Sequence, residues 1–112
     1  MSEISGNVAD NAVCIIGCML QRDALRLTPA RIPVVGFCIE HKSRQVEADV
    51  EREVSCQLEV RAIGPIAHQI CAVPPGSKLV LEGFLANKSA RSRAPVLHVR
   101  KFELLEGMNN GF

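Results

Sequence analysis

The stretch that decides the fold is Val54 to Asn87, VSCQLEVRAIGPIAHQICAVPPGSKLVLEGFLAN. Val54, Cys56, Leu58, Val60 and Ala62 alternate with Ser55, Gln57, Glu59 and Arg61. That period of two sends one set of side chains to a core and the other to solvent, so Val54–Ala62 reads as a strand. Gly64-Pro65 breaks it. Ile66, Ile70 and Val73 then recur at helical spacing, which predicts a short helix over Ile66–Val73. Pro74-Pro75-Gly76 ends that helix abruptly. Lys78–Asn87 returns to strand, with Gly83 marking a bulge or the close approach of another backbone.

On the N-terminal side, Asn11–Gln21 is rich in Val, Ile, Cys and Met and lacks helix caps. It reads as a first strand with a bend or bulge at Gly17. Arg22–Arg31 is a connection containing Thr28-Pro29. Ile32–His41 is a second strand that buries Val34, Val35, Phe37 and Ile39. Lys42–Glu53 is polar and acid-biased (Glu47, Asp49, Glu51, Glu53) and reads as a long hairpin loop with a solvated tip. Beyond the quoted stretch, Pro95–Leu105 is a fifth strand. The order is strand, strand, strand, short helix, strand, strand. The expected architecture is therefore an all-β, five-stranded Greek-key OB-fold barrel with one short helix before strand 4. Residues 11–106 form this domain, between tails at 1–10 and 107–112.

Net charge is only +1, but it is unevenly spread. Gly83–Phe102 holds five cations (Lys88, Arg91, Arg93, Arg100, Lys101) and no acid. The other residues hold eight cations against twelve anions. Lys88, Arg91 and Arg93 sit in a Ser/Ala/Asn-rich loop between two apolar runs, a basic finger of the kind that meets phosphate. In an OB-fold the loops joining strands 1 to 2 and strands 4 to 5 flank the binding face. Here the first is Arg22–Arg31, with Arg22, Arg26 and Arg31 against Asp23, and the second is Lys88–Ala94. Both are basic.

Other function classes find little support. The longest apolar runs fall far short of the roughly 20 residues of a membrane span. The first eleven residues contain Glu3 and Asp10 and no basic n-region of a secretory signal. Five cysteines, an odd number placed mostly in apolar runs, suit reduced thiols in a cytoplasmic protein. Cys14 and Cys18 on a strand lie roughly 13 Å apart, too far to share a zinc ion. His41, His68 and His98 read as structural or surface groups. No Gly-rich phosphate loop, metal-ligand pair or catalytic triad is visible, so neither an enzyme nor a cofactor is expected.

An ordered series of motifs then narrows the reading. Asn11-Ala-Val-Cys-Ile-Ile-Gly17, Leu20-Gln-Arg22-Asp23, Arg26-Leu-Thr28-Pro29, Ile32-Pro33 and Phe37 resemble the bacterial single-stranded-DNA-binding proteins. Glu40-His41-Lys42-Ser43, Cys56-Gln57 and Gly83-Phe84 resemble a family of their short relatives, primosomal replication protein N (PriB). The resemblance spans Asn11 to Glu106. It implies a homodimer of OB-folds that pairs through first strands and binds single-stranded DNA without sequence preference. It implies, too, a protein that assists the PriA helicase at stalled forks and passes DNA towards a helicase-loading primosome protein. By matched position it points to Lys88, Arg91 and Arg93, with Lys42, Arg26 and Arg52, as DNA contacts.

Three positions depart from the family pattern. Ser55 stands where a Trp precedes Cys-Gln, Val50 where the strand 2–3 loop carries an aromatic, and Arg31 where a Gly precedes Ile-Pro. Of the four aromatics, all Phe, Phe37 and Phe84 read as core and Phe102 as the candidate for exposure. A stacked base is worth roughly 1–3 kcal/mol. With such platforms missing, the expectation is weak, mainly electrostatic DNA binding, or a protein adaptor in which the OB face has become a docking surface.

Overall fold

The computed structural model describes residues 9–105. Its elements are β1 (Val13–Arg22), β2 (Arg26–Leu27), β3 (Pro33–Glu47), β4 (Val50–Ile63), α1 (Pro65–Cys71), β5 (Lys78–Asn87) and β6 (Pro95–Leu104). The long strands pair in a ring: β1 with β3, β3 with β4, β4 with β6, β6 with β5, and β5 back to β1. All these ladders are antiparallel except β4–β6. This is the expected five-stranded OB-fold barrel, with its one helix between the third and fourth long strands. The expected tails lie outside the described residues, apart from Ala9 and Asp10.

Inward-facing residues of each strand meet in one core. Met19, Phe37, Ile39, Val60, Leu81 and Leu97 are among its buried members, and Ala67 and Ile70 of α1 close one end. The four positions expected to be buried on the second long strand, Val34, Val35, Phe37 and Ile39, are all buried. In β4 the alternation outlasts the core. Val60 and Ala62 are buried, Leu58 and Val54 are half-buried, and Cys56 is exposed. The strand runs out past the barrel mouth.

That overrun corrects the largest misreading. Lys42–Glu53 is not a long loop: β3 and β4 stay paired from Val34↔Ile63 to Glu47↔Val50. Only Ala48 and Asp49 turn the chain, with φ of 53° and 65°. Two successive left-handed residues match the right-handed twist of the strands they join. Lys42 and Arg52 are therefore strand residues. Ion pairs Arg44–Glu51 (3.2 Å) and Arg52–Glu47 (2.8 Å) cross the ribbon. Both of its faces meet water here, so no apolar alternation announces the strands.

Smaller corrections concern β1 and the connection after it. The irregularity in β1 falls between Met19 and Gln21 rather than at Gly17. Gly17 instead lets β3 pack close: a Cβ there would lie 2.7 Å from Ile39 Cδ1. The Arg22–Arg31 connection contains the short β2. Its Arg22 ends β1 and donates to the Val73 carbonyl just beyond α1, so it ties elements together rather than lining a loop.

Candidate nucleic-acid interface

The basic loop is built by its serines. Lys88 N donates to Ala94 O (2.8 Å) and closes the turn. Ser89 Oγ accepts from the backbone N–H groups of Arg91 (3.2 Å) and Ser92 (3.1 Å), and Ser92 Oγ accepts from Ala94 N (3.3 Å). Such hydroxyl–backbone bonds fold a short polar segment without a core. Arg91 and Arg93 are left exposed. Beneath the loop, Arg61 Nη1 donates to Lys88 O (3.3 Å). Lys88 Nζ lies 3.3 Å from Glu59 Oε1, with side chains 47% and 44% exposed. A pair this open to water contributes little and is easily exchanged for another anion.

Register places the remaining cations. Gly36↔Arg61, Cys38↔Glu59, Glu40↔Gln57, Lys42↔Ser55 and Arg44↔Glu53 share the face of β3–β4 that points away from the core. Lys88, through Glu59, and Lys42 thus belong to one face, separated by roughly 13 Å along β3. Carboxylates are interleaved with the cations on that face. Arg52 sits opposite Gln45 on the other side of the ribbon and is paired with Glu47. Arg26, on β2 opposite Val34, lies at the far end of β3 from Lys42. The fold therefore groups Lys88, Arg91 and Arg93, adds Lys42 at a distance, and leaves Arg26 and Arg52 apart.

The departures from the family pattern have clear places. Ser55 is on the outer face beside Lys42, and Val50 is exposed at the start of β4. Arg31 has φ 67°, the left-handed conformation that suits the glycine expected there. The turn is kept by Arg31 N donating to Thr28 O (2.7 Å) and Ile32 N donating to Thr28 Oγ1 (3.1 Å).

Sequence reasoning missed Arg61, Phe84, His98 and Arg100. Phe84 is not core. It lies on the outer face of β5 opposite His98 of β6, ring centroids 5.2 Å apart and planes 8° from parallel. Its parity with Lys78 and Glu82, rather than with buried Leu79 and Leu81, was the available signal. The register shifts between Glu82 and Gly83, but the bulge is on β6, and Gly83 is the point where the other backbone comes close. The extra residue is Arg100, between Val99 and Lys101 on the partner strand, and its Cζ lies 4.9 Å from the Phe84 ring centroid. A bulge re-aims a side chain in just this way. A Cβ on Gly83 would collide with the His98 carbonyl oxygen, so the bulge requires glycine. Phe102, expected to be exposed, packs half-buried against the core. Burial, and then the positive Arg61 beside it, lower the His98 pKa from its ordinary value near 6.5, so the ring is neutral at pH 7.

All five cysteines are free, and Cys14 and Cys18 lie in the extended β1. Among the described residues no group of three His, Cys, Asp or Glu side chains could hold a metal ion. No helix there is long and apolar enough to cross a membrane.

Comparison with known proteins agrees with this geometry. A family model described as "another single-strand binding protein family" matches residues 11–101. Replication restart protein PriB of Nitrosomonas europaea is 34% identical over 95 residues, covering 85% of this chain and 88% of the relative. The PriB of Erwinia tasmaniensis is 31% identical over 100 residues, covering 86% and 94%. A solved structure of PriB from Ralstonia solanacearum superposes with a TM-score of 0.79 at 29% identity, over 86% of this chain and 98% of that one. The match to the family model runs from just before β1 into β6 and takes in the basic loop. The chain belongs to the single-strand binding protein family, within its PriB branch.

Proposed function

We propose that this chain is a non-catalytic accessory protein of replication restart that binds single-stranded DNA without sequence preference. The observation that carries this reading is the Lys88–Ala94 loop. It presents three cations and no acid above a barrel that matches PriB relatives along most of its length. Lys88, Arg91 and Arg93 are the principal phosphate contacts, and Lys42 is a further one on the same face. Arg26 and Arg52 contribute to the general field. In this reading the protein works in the cytoplasm with the PriA helicase and hands DNA to a helicase-loading primosome protein. It is a homodimer. Support for that comes from β1, where β3 pairs only with Cys18–Arg22, which among the described residues leaves one edge of Val13–Gly17 without a strand. Ile16 and Leu20, both exposed, flank that edge. Light scattering tests this point: a mass near 12.2 kDa, the monomer, removes the dimer from the reading.

A second reading has its own observation. Glu40, Glu53 and Glu59 lie among the cations of the β3–β4 face, and Ser55 offers no stacking surface there. This favours a protein adaptor that stimulates PriA while binding DNA weakly itself. One titration separates the two. Fluorescent single-stranded DNA is titrated with the protein, with and without its PriA, at two salt concentrations. Direct binding with a log–log salt slope of roughly −2 to −4, the value for three to five neutralised phosphates, supports the first. Negligible binding alone with tight helicase association supports the adaptor.

A further inference from the structure

A groove of 570 Å³ lies beside α1, on the outer side of β4, β6 and β5. Its volume is in the range of ligand-binding clefts. Ile63, Pro65 and Ile66 line its apolar part, and Phe84, His98 and Arg100, in mutual contact, line another part. The lining residues include Arg61 and Lys101 and no Asp or Glu. Lys101 is paired with Glu82, but Arg61 and Arg100 make no ion pair among the described residues. The groove is thus aromatic, apolar and cationic together, and it contrasts with the part of the β3–β4 face that carries Glu40, Glu53 and Glu59. Those three properties fit a nucleobase attached to a phosphate chain: every base has a π-face, and its backbone is anionic.

The groove is also continuous with the basic loop. Arg61 donates to Lys88 O on one side and is the register partner of His98 on the other, and His98 is the register partner of Phe84. Adjacent strands are about 5 Å apart. One row of side chains therefore leads from the loop into the groove.

We propose that the Phe84–His98–Arg100 platform receives an unpaired base of a DNA strand whose phosphates lie on the Lys88–Ala94 loop. This rests on the single-strand-binding reading above. It relocates base stacking from the β3–β4 ribbon, where Ser55 and Val50 offer no ring, to the β5–β6 hairpin. The outer side of the exposed Arg100 guanidinium extends the stack that Phe84 begins. Neutral His98 adds a flat ring without a charge of its own.

The test uses an oligothymidylate carrying one 2-aminopurine, and a strand of equal length made of abasic sites. Wild-type protein, Phe84→Leu, His98→Asn and Arg100→Gln are compared, with circular dichroism to confirm folding. Bound 2-aminopurine is expected to be quenched by the wild type. Phe84→Leu removes the ring against which Arg100 and His98 are stacked, and is expected to weaken the base-bearing strand about fivefold to a hundredfold, the range of one base stack. Affinity for the abasic strand should stay within about twofold, since its phosphates are untouched. His98→Asn gives the same pattern more weakly, and serves if Phe84→Leu does not fold. Equal losses on both strands, or no loss on either in the folded variants, overturn the platform while leaving loop-based DNA binding intact. Loss of helicase binding with DNA affinity unchanged overturns it in favour of a protein dock. No binding of either strand by the wild type overturns both readings.

Discussion

Two surfaces of this barrel carry cations, and they differ in what surrounds them. On the β3–β4 ribbon, Arg44 and Arg52 are each tied to a glutamate across the strands, and Asp49 and Glu53 stand nearby. On the β5–β6 hairpin, Lys88 and Lys101 are paired with Glu59 and Glu82, but Arg91, Arg93 and Arg100 have no carboxylate partner among the described residues, and the Phe84 ring lies against Arg100. Cation number is therefore a poor guide to where an anionic strand settles. A ribbon with two of its cations matched by glutamates has less field left for phosphate than a loop in which only Lys88 is paired.

The difference between the two surfaces depends first on the backbone. Gly83 supports the bulge that aims Arg100, and any side chain there meets the His98 carbonyl. Gly83→Ala is expected to lose about 3 kcal/mol in urea unfolding, or to prevent folding. A loss under about 1 kcal/mol would mean that the bulge is slack and the β5–β6 surface is not held as described. Next in size is an exchange of charge. Changing Lys88, Arg91 and Arg93 together to Ala should lower affinity for single-stranded DNA on the order of 10–100-fold and flatten the salt slope by about 2. Changing Lys42, Arg44 and Arg52 together should cost about threefold or less, because two of those cations are already paired. Equal losses would erase the distinction between the two surfaces.

How much of this was legible in sequence varies with what each residue faces. The alternation of Val54–Ala62 and the helix between Gly64 and Pro74 were plain, because one face of each element is buried. The paired ribbon beyond Lys42 was not, because water on both faces removes the apolar signal. The basic loop stood out through its lack of acids. Its tie to Glu59 did not, since Glu59 and Lys88 come from separate strands that only the closed barrel brings together. Phe84 was misread on hydrophobicity, although strand parity placed it outside. Arg61 and Arg100 acquire their role from register and a bulge, neither of which a single strand displays.

Glu59→Gln should release Lys88 and raise DNA affinity a few-fold with a steeper salt slope. Stability should change by no more than about 0.5 kcal/mol, as befits an exposed pair. Arg31→Gly should stabilise the fold by about 1 kcal/mol in thermal or urea unfolding, by relieving a left-handed conformation in a residue with a Cβ. The smallest expected effect is on pH. His98 binds its proton less readily in the folded protein than in the unfolded chain. Its contribution is complete above pH 6.5 and is lost as pH falls from there through its lowered folded value. The melting temperature should therefore decline slightly between pH 7 and pH 5, and His98→Gln should flatten that decline.

The most direct measurement is a residue-by-residue map of the bound strand. Backbone amide resonances of the isotope-labelled protein are followed while oligothymidylate is added at low salt. The largest shifts are expected at Lys88–Ala94, Arg61 and the Phe84–His98–Arg100 cluster, with small ones across Arg44–Arg52. Shifts concentrated on the β3–β4 ribbon, with the loop and the β5–β6 hairpin unmoved, would contradict the account.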